Sequence, residues 1–211
     1  MSSYSEGQTH QLADKFEAEG FTPAEITQLG QFKNLAGIKA VLNGQAKITP
    51  VGEDATRVIT INETTIVVNL GATPKRPFRG AEVDQHSGKG WVIVEKRADG
   101  LYVDGRKVIL HLSKRQCGDK WLRGHELRKE LMGKPVLNAN LLDALYRNTH
   151  LTPEDWKGRY VFFWGTIYRG SGGLYVRYLC FFGVGGWRSE YGWLGGDGFG
   201  GRGPAVLRES N

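Results

Sequence analysis

Residues 159–182 read RYVFFWGTIYRGSGGLYVRYLCFF. Two runs rich in aromatic and β-branched side chains, 159–169 and 174–182, flank Ser171-Gly172-Gly173. This pattern predicts a β-hairpin at the core of a sheet. Working upstream, residues 140–147 read as a helix behind Asn138, and 121–132 as another closed by Gly133. Thr152-Pro153-Glu154-Asp155 has the look of a helix start, but only a brief turn fits before the next strand. Before the helices come a strand at 107–112 and a hairpin of 91–95 and 101–103 that turns near Asp99-Gly100. Downstream, a long glycine-rich stretch leads to a short apolar run, 205–207, read as a last strand.

The beginning of the chain has a different character. Leu12, Ala13 and Phe16 fall at helical spacing and stop at Gly20. Thr22 then caps a helix begun by Pro23, with Glu25 early in it and Ile26 and Leu29 on one face. A third helix is expected from about Asn34, carrying Leu35, Ile38, Val41 and Leu42 and ending at Asn43-Gly44. Three short helices invite comparison with DNA-reading modules. The third offers only Lys39 and Gln45 as contacts, however, and the segment is slightly acidic, which favours a packing or docking module. Two β-branched runs, 57–61 and 64–70, form a hairpin signal around Asn62-Glu63. Residues 71–90 lack periodicity and hold two prolines among several glycines. The expected organisation is a helical and β-hairpin module at 1–72, a linker at 73–90 and a larger domain at 91–211.

A chain of 211 residues with 40% hydrophobic and 24% charged side chains is of ordinary globular composition. No apolar run has the length of a membrane span, and MSSYSEGQTH lacks a signal peptide's basic and apolar regions, so a cytoplasmic protein is the default. Cys117 and Cys180 are far apart and read as free thiols. The net charge of +6 divides into −3 for residues 1–74 and +9 for 75–211. Much of the positive field lies between Lys75 and Lys134, where 15 basic residues meet 8 acids. A polyanion is therefore a candidate partner.

In the second half, a strand, two helices, a central hairpin, a long irregular loop and a terminal strand follow in the order of a C-type-lectin-like domain. The fold class expected is α+β, with that domain preceded by the small helical and hairpin module. The segments from Lys134 to Asn140, Trp156 to Arg169 and Leu174 to Leu179 also resemble a widespread family of uncharacterised bacterial proteins. Members of that family are similar to the variable proteins of diversity-generating retroelements, which copy a template with errors at adenines and so randomise chosen codons. The resemblance covers roughly residues 110–208. It implies a lectin-like fold, no catalysis and a ligand-binding face at the C-terminal end.

Asparagine codons randomised at their first two adenines never encode Lys, Gln, Glu, Met or Trp. Between Cys180 and Gly203 the residues outside the permitted set are Trp187, Glu190 and Trp193. The two tryptophans read as fixed framework, while Glu190 departs from the pattern. Glycine supplies 15 of the 54 residues from Gly158 onward. Flexible glycine tracts bind poorly because ordering them costs entropy, so the surface needs rigid anchors. Trp164, Trp187 and Trp193 are the expected inward anchors, each indole N–H finding a partner. The residues expected on the variable, ligand-binding face are Cys180, Phe182, Val184, Arg188, Ser189, Tyr191, Gly192, Asp197, Phe199 and Arg202. Aromatic residues, Arg, Ser and Gly form the palette of antibody-like paratopes, which points to a protein as the ligand.

Signs of chemistry are sparse. Gly196-x-Gly198-x-x-Gly201 matches the dinucleotide fingerprint by letters, but it lies too near the end of the chain for the required helix and acidic residue. His10, His86, His111, His125 and His150 are scattered, with no metal-type spacing. No catalytic residue, cofactor or metal is expected. The alternative reading is a nucleic-acid-binding protein that uses the 75–134 region, with Lys114 and Arg115 on phosphates and Trp121 for stacking. Oligomeric state is left open.

Overall fold

The structure is a computed structural model that describes residues 5–31, 39, 43, 58–117, 120–196 and 198–209. It divides into two compact units, Met1–Pro50 and Val51–Asn211. In the first, α1 (Glu6–Ala18) opens with a reciprocal cap between Ser5 and Gln8. Helix α2 (Pro23–Gln31) follows, with Thr22 and Glu25 closing its start in the same way. Both starts satisfy orphan backbone donors, and the cap at Thr22 is the one the sequence anticipates. Most of the expected third helix lies outside the described residues.

The second unit is α+β. Its strands are β1 (Val58–Asn62), β2 (Thr65–Asn69), β3 (Glu82–His86), β4 (Trp91–Arg97), β5 (Gly100–Val103), β6 (Arg106–His111), β7 (Val161–Gly170), β8 (Gly173–Phe181), β9 (Trp187–Trp193) and β10 (Ala205–Arg208). They form one sheet in the order β1-β2-β4-β5-β6-β10-β7-β8-β9, with β3 also on β7. Helices α3 (Gly124–Glu130) and α4 (Ala139–Arg147) lie between β6 and β7 in the chain. The last strand pairs antiparallel with β6 and touches β7 in parallel, at Ala205 opposite Phe162.

Strand β7 is buried from Val161 to Tyr168. Its run Val161–Trp164 is apolar throughout because successive side chains serve different cores. Val161 and Phe163 enter a cluster with Ile66, Val94, Leu141 and Leu145, whereas Phe162 and Trp164 enter one with Leu122, Leu127 and Phe199. The two cores fix the hairpin of β7 and β8 as a rigid floor.

Helix α4 is docked by its first residues. The Asn138 side chain accepts from the amides of Asn140 and Leu141, while its own amide donates to the carbonyls of Leu70 and Ser87. The Thr166 hydroxyl accepts from the Ala139 amide. Helix α3 is shorter than the expected 121–132. Leu122 is bridged to Phe199 and Arg123 is extended, so the helix begins at Gly124. Only glycine fits there, since a Cβ would lie 2.6 Å from both Leu194 Cα and Phe199 Cε2.

The segment expected as a linker instead belongs to the sheet. Its Glu-Val-Asp-Gln-His strand, β3, pairs with the second half of β7, and its side chains are mostly exposed. Backbone pairing and polar side-chain bonds hold this strand, Asp84 to Arg128 and Arg169 and His86 to Thr166 and the Leu70 carbonyl, so it carries no apolar alternation. The hairpin β1–β2 likewise extends the sheet through β4, within the compact unit that starts at Val51.

Candidate functional site

The glycine-rich stretch contains a strand that the sequence reading leaves irregular. Strand β9 lies at the end of the sheet and pairs with β8 along its whole length, from Phe181 opposite Trp187 to Tyr175 opposite Trp193. Its side chains alternate between the two faces. Arg188, Glu190 and Gly192 share one face with Tyr178 and Cys180, while Ser189, Tyr191 and Trp193 share the other with Arg177 and Tyr175. The expected continuous surface is thus two half-surfaces separated by the sheet.

The loop joining β8 and β9 forms the tip. Phe182 is exposed, Val184 is fully exposed, and the Arg188 guanidinium lies 5.2 Å from the centre of the Phe182 ring. On the first face, Tyr160 and Tyr178 make an edge contact with centroids 5.5 Å apart. Burial pushes the Tyr178 hydroxyl up to about 12, with Cys180 and Glu190 adding to the shift. Burial, followed by Glu190, pushes the Cys180 thiol up to about 11. Cys180 therefore stays a thiol at neutral pH and serves as packing. On the second face, Phe78 covers Tyr175 and Tyr191, with ring centroids 5.1 and 4.9 Å away.

Three expectations about individual side chains are corrected. Cys180 and Phe199, expected to project, are buried, Phe199 to 1% exposure. The Phe199 ring packs 4.9 Å from Phe162 and 5.3 Å from Trp164, filling the core beneath the loop. Trp193, expected to face inward, is 51% exposed, because its ring lies along Gly173, Gly195 and Gly196 at the sheet's end. Trp164 is buried as expected, but its indole N–H has no hydrogen-bond partner among the described residues. Trp187 is half-buried against the first core cluster and makes an edge contact with Phe181. Ser189 and Gly192 are half-buried, Arg188, Tyr191 and Arg202 are exposed, and Asp197 lies outside the described residues.

What rigidifies the loop after β9 is a residue the sequence reading misses. Gln116 is fully buried, and its amide nitrogen donates to the carbonyls of Phe199, Gly200 and Gly203 at 3.2, 3.3 and 3.1 Å. Its carbonyl oxygen accepts from the Ser113 amide, and the Ser113 hydroxyl accepts from Arg115 N. The available signal was the Ser-x-x-Gln spacing of a capping box, here opening a single 3₁₀ turn. The Leu122 amide also donates to the carbonyl of Phe199, and the His125 amide to that of Leu194. Glycines follow these carbonyls closely because the Trp121 ring lies over Gly200, where a Cβ would approach to 3.2 Å.

Four of the 15 cations of 75–134 pair with carboxylates among the described residues. Arg115 pairs with Glu126 at 2.7 Å, Arg97 with Glu95 at 2.8 Å and Lys107 with Asp99 at 3.0 Å. Arg128 joins Arg169 on Asp84. Trp121 is exposed, as stacking requires. Among the described residues, no group of three or more His, Cys, Asp and Glu side chains is placed to hold a metal ion, and no helix is long and apolar enough to cross a membrane. Compared with protein-family models, curated proteins and solved structures, the chain matches none.

Proposed function

We propose that this chain is a ligand-binding protein whose sheet unit is a C-type-lectin-like display domain, with residues 180–203 as a segment diversified by a retroelement. The carrying observation is β9, an edge strand whose Arg188, Glu190, Tyr191 and Trp193 side chains stand exposed above a floor of buried rings. The order of elements supports the reading: β6 paired with the last strand, two helices after it, then the β7–β8 hairpin and the glycine-rich stretch that holds β9. The ligand face consists of Phe182, Val184, Arg188, Ser189, Tyr191 and Arg202, with Cys180 and Phe199 in the supporting floor. Exposed aromatics and arginines on rigid backbone suit a protein ligand, because little side-chain entropy is lost on contact.

Two measurements test this. Simultaneous replacement of Phe182, Val184, Arg188, Tyr191 and Arg202 by alanine should lower the melting temperature by no more than about 10 °C, since five exposed substitutions at less than about 0.5 kcal/mol each cost less than about 2.5 kcal/mol together. The genome should carry a reverse transcriptase gene beside a near-repeat of the codons for 180–203, differing mainly opposite adenines and unchanged at Trp187 and Trp193. Absence of such a repeat overturns diversification. Loss of partner binding in Lys114→Ala, Arg115→Ala, with the five-fold alanine variant still binding, overturns the placement of the ligand face in favour of the phosphate-track alternative.

A further inference from the structure

A cavity of about 380 Å³ opens on the second face of β9. Its walls come from three parts of the sheet unit: the loop of Lys75, Arg76 and Pro77; Asp143, Tyr146 and Arg147 of α4; and Arg177, Ser189, Glu190 and Tyr191 of β8 and β9. The loop is held in place, since the Tyr168 hydroxyl donates to the Lys75 carbonyl at 2.9 Å and Phe78 packs on Tyr175 and Tyr191. Four basic side chains meet one carboxylate on this face, Asp143, since the Glu190 side chain lies on the opposite face with Tyr178 and Cys180. Arg147 in the last turn of α4 offsets the negative end of the helix dipole.

The deepest wall is a buried ion pair. Arg177 and Asp143 are 7% and 6% exposed. Arg177 Nη2 donates to Asp143 Oδ1 at 2.8 Å and to the Ser189 hydroxyl at 2.7 Å. The pair is nevertheless incomplete, because Arg177 Nη1 and Asp143 Oδ2 have no partner among the described residues. A buried donor left without an acceptor is costly, so Arg177 Nη1 gains from a guest that brings one. Among the described residues Arg76 forms no ion pair, and Tyr146 and Tyr191 expose ring surface beside the opening.

We infer that this cavity receives a carboxylate on a short apolar stem, an acidic side chain of the protein ligand, held by Arg76, Arg147 and Arg177 between the rings of Tyr146 and Tyr191. Planar guanidinium groups suit a carboxylate's two oxygens. Asp143 in the wall opposes a dianion more than a monoanion, which selects carboxylate over phosphate. The volume is at the small end of ligand pockets and fits one side chain with its backbone. The inference rests on reading β9 as the recognition strand and gives that strand a ligand chemistry.

The test is an NMR titration of the full chain, following amide shifts of Ser189, Glu190 and Tyr191. The probes are N-acetylglutamate α-amide, its neutral glutamine counterpart and inorganic phosphate. The glutamate probe should shift these amides saturably and the glutamine probe should not. Arg76→Gln, Arg147→Gln should weaken binding by about tenfold or more, the loss expected for charge-assisted hydrogen bonds, with the remaining spectrum unchanged. Lys157→Gln, outside the cavity, should bind as the natural chain does. Equal response to both amino-acid probes, tighter binding of phosphate, or unaltered affinity in the double variant overturns the inference. A codon repeat without carboxylate binding leaves the display reading intact; binding without the repeat leaves the cavity and removes diversification.

Discussion

Replacing Phe199 by alanine separates a floor residue from a contact residue. Phe199 is 1% exposed, and its ring packs against Phe162 and Trp164 beneath the loop that follows β9. Its edge also fills the space that makes Gly124 obligatory. Full burial of a phenylalanine side chain is worth about 1.5–3 kcal/mol by transfer, and the cavity left behind raises Phe→Ala costs to about 3–5 kcal/mol. Collapse into the cavity is hindered, because Gln116 fixes the carbonyls on either side of the loop's turn. A loss in the upper half of that range is expected, a large share of the roughly 5–15 kcal/mol that stabilises a typical domain. Urea unfolding followed by tryptophan fluorescence measures it, with Phe182→Ala as an exposed control expected within about 0.5 kcal/mol of the natural chain. A Phe199→Ala loss below about 1 kcal/mol would falsify the floor assignment and return Phe199 to the set of projecting residues.

Asn138→Ala should destabilise the sheet unit by about 2–4 kcal/mol in the same assay. It removes a helix cap and leaves the Ser87 carbonyl without its donor, while the Leu70 carbonyl keeps the Asn140 side chain. Asp84 governs part of the acid response. Burial raises its pKa, but hydrogen bonds from Arg169 and Arg128 outweigh that and hold it below the usual aspartate value. A depressed carboxylate contributes stability that is present above the unfolded value of about 3.9 and is lost as pH falls through the lower folded value. Asp84→Asn should therefore flatten stability against pH below about pH 4, and an unchanged acid limb refutes the assignment. Thiol labelling at pH 8 should modify the exposed Cys117 quickly and Cys180 slowly until urea is added, because burial holds the latter as a thiol. Equal native rates would show that the floor is open.

The elements that were legible in the sequence are those whose local chemistry and tertiary role agree. The hairpin of β7 and β8 carries aromatic and β-branched residues around Gly172-Gly173, and helix α4 starts at an asparagine that caps it. Strands β3 and β9 were both hidden by a lack of apolar alternation. In β3 every side chain is polar except Val83, and the strand is held by backbone pairing with β7 and by the bonds of Asp84 and His86. In β9 the pattern Trp-Arg-Ser-Glu-Tyr-Gly-Trp offers no apolar alternation, and the surrounding glycines look like loop. The site was misread for a related reason. Composition marks Phe199 and Tyr191 as equivalent aromatic residues in a glycine-rich segment, yet one fills a core and the other stands at an edge. Only pairing register and the distant Gln116, Leu122 and Gly124 decide which is which.

An edge strand is an unusual place for a binding surface unless its backbone is fixed, because a mobile edge loses affinity to ordering and risks pairing with other chains. Here β9 is clamped by full pairing with β8 on one side and by the Phe199 loop at its end. Residues 188 and 190 can then change without disturbing residues 189 and 191, since the sheet separates their side chains. Such separation lets a varied sequence explore an open face bearing Arg188 and a cavity-bearing face with Tyr191 independently. Glycine at 192 marks the limit of that freedom: a Cβ there would lie 3.3 Å from Phe162, so a larger residue presses on the core. The strand therefore divides into positions 188–191, where substitution meets solvent or a cavity, and position 192, where it meets the floor.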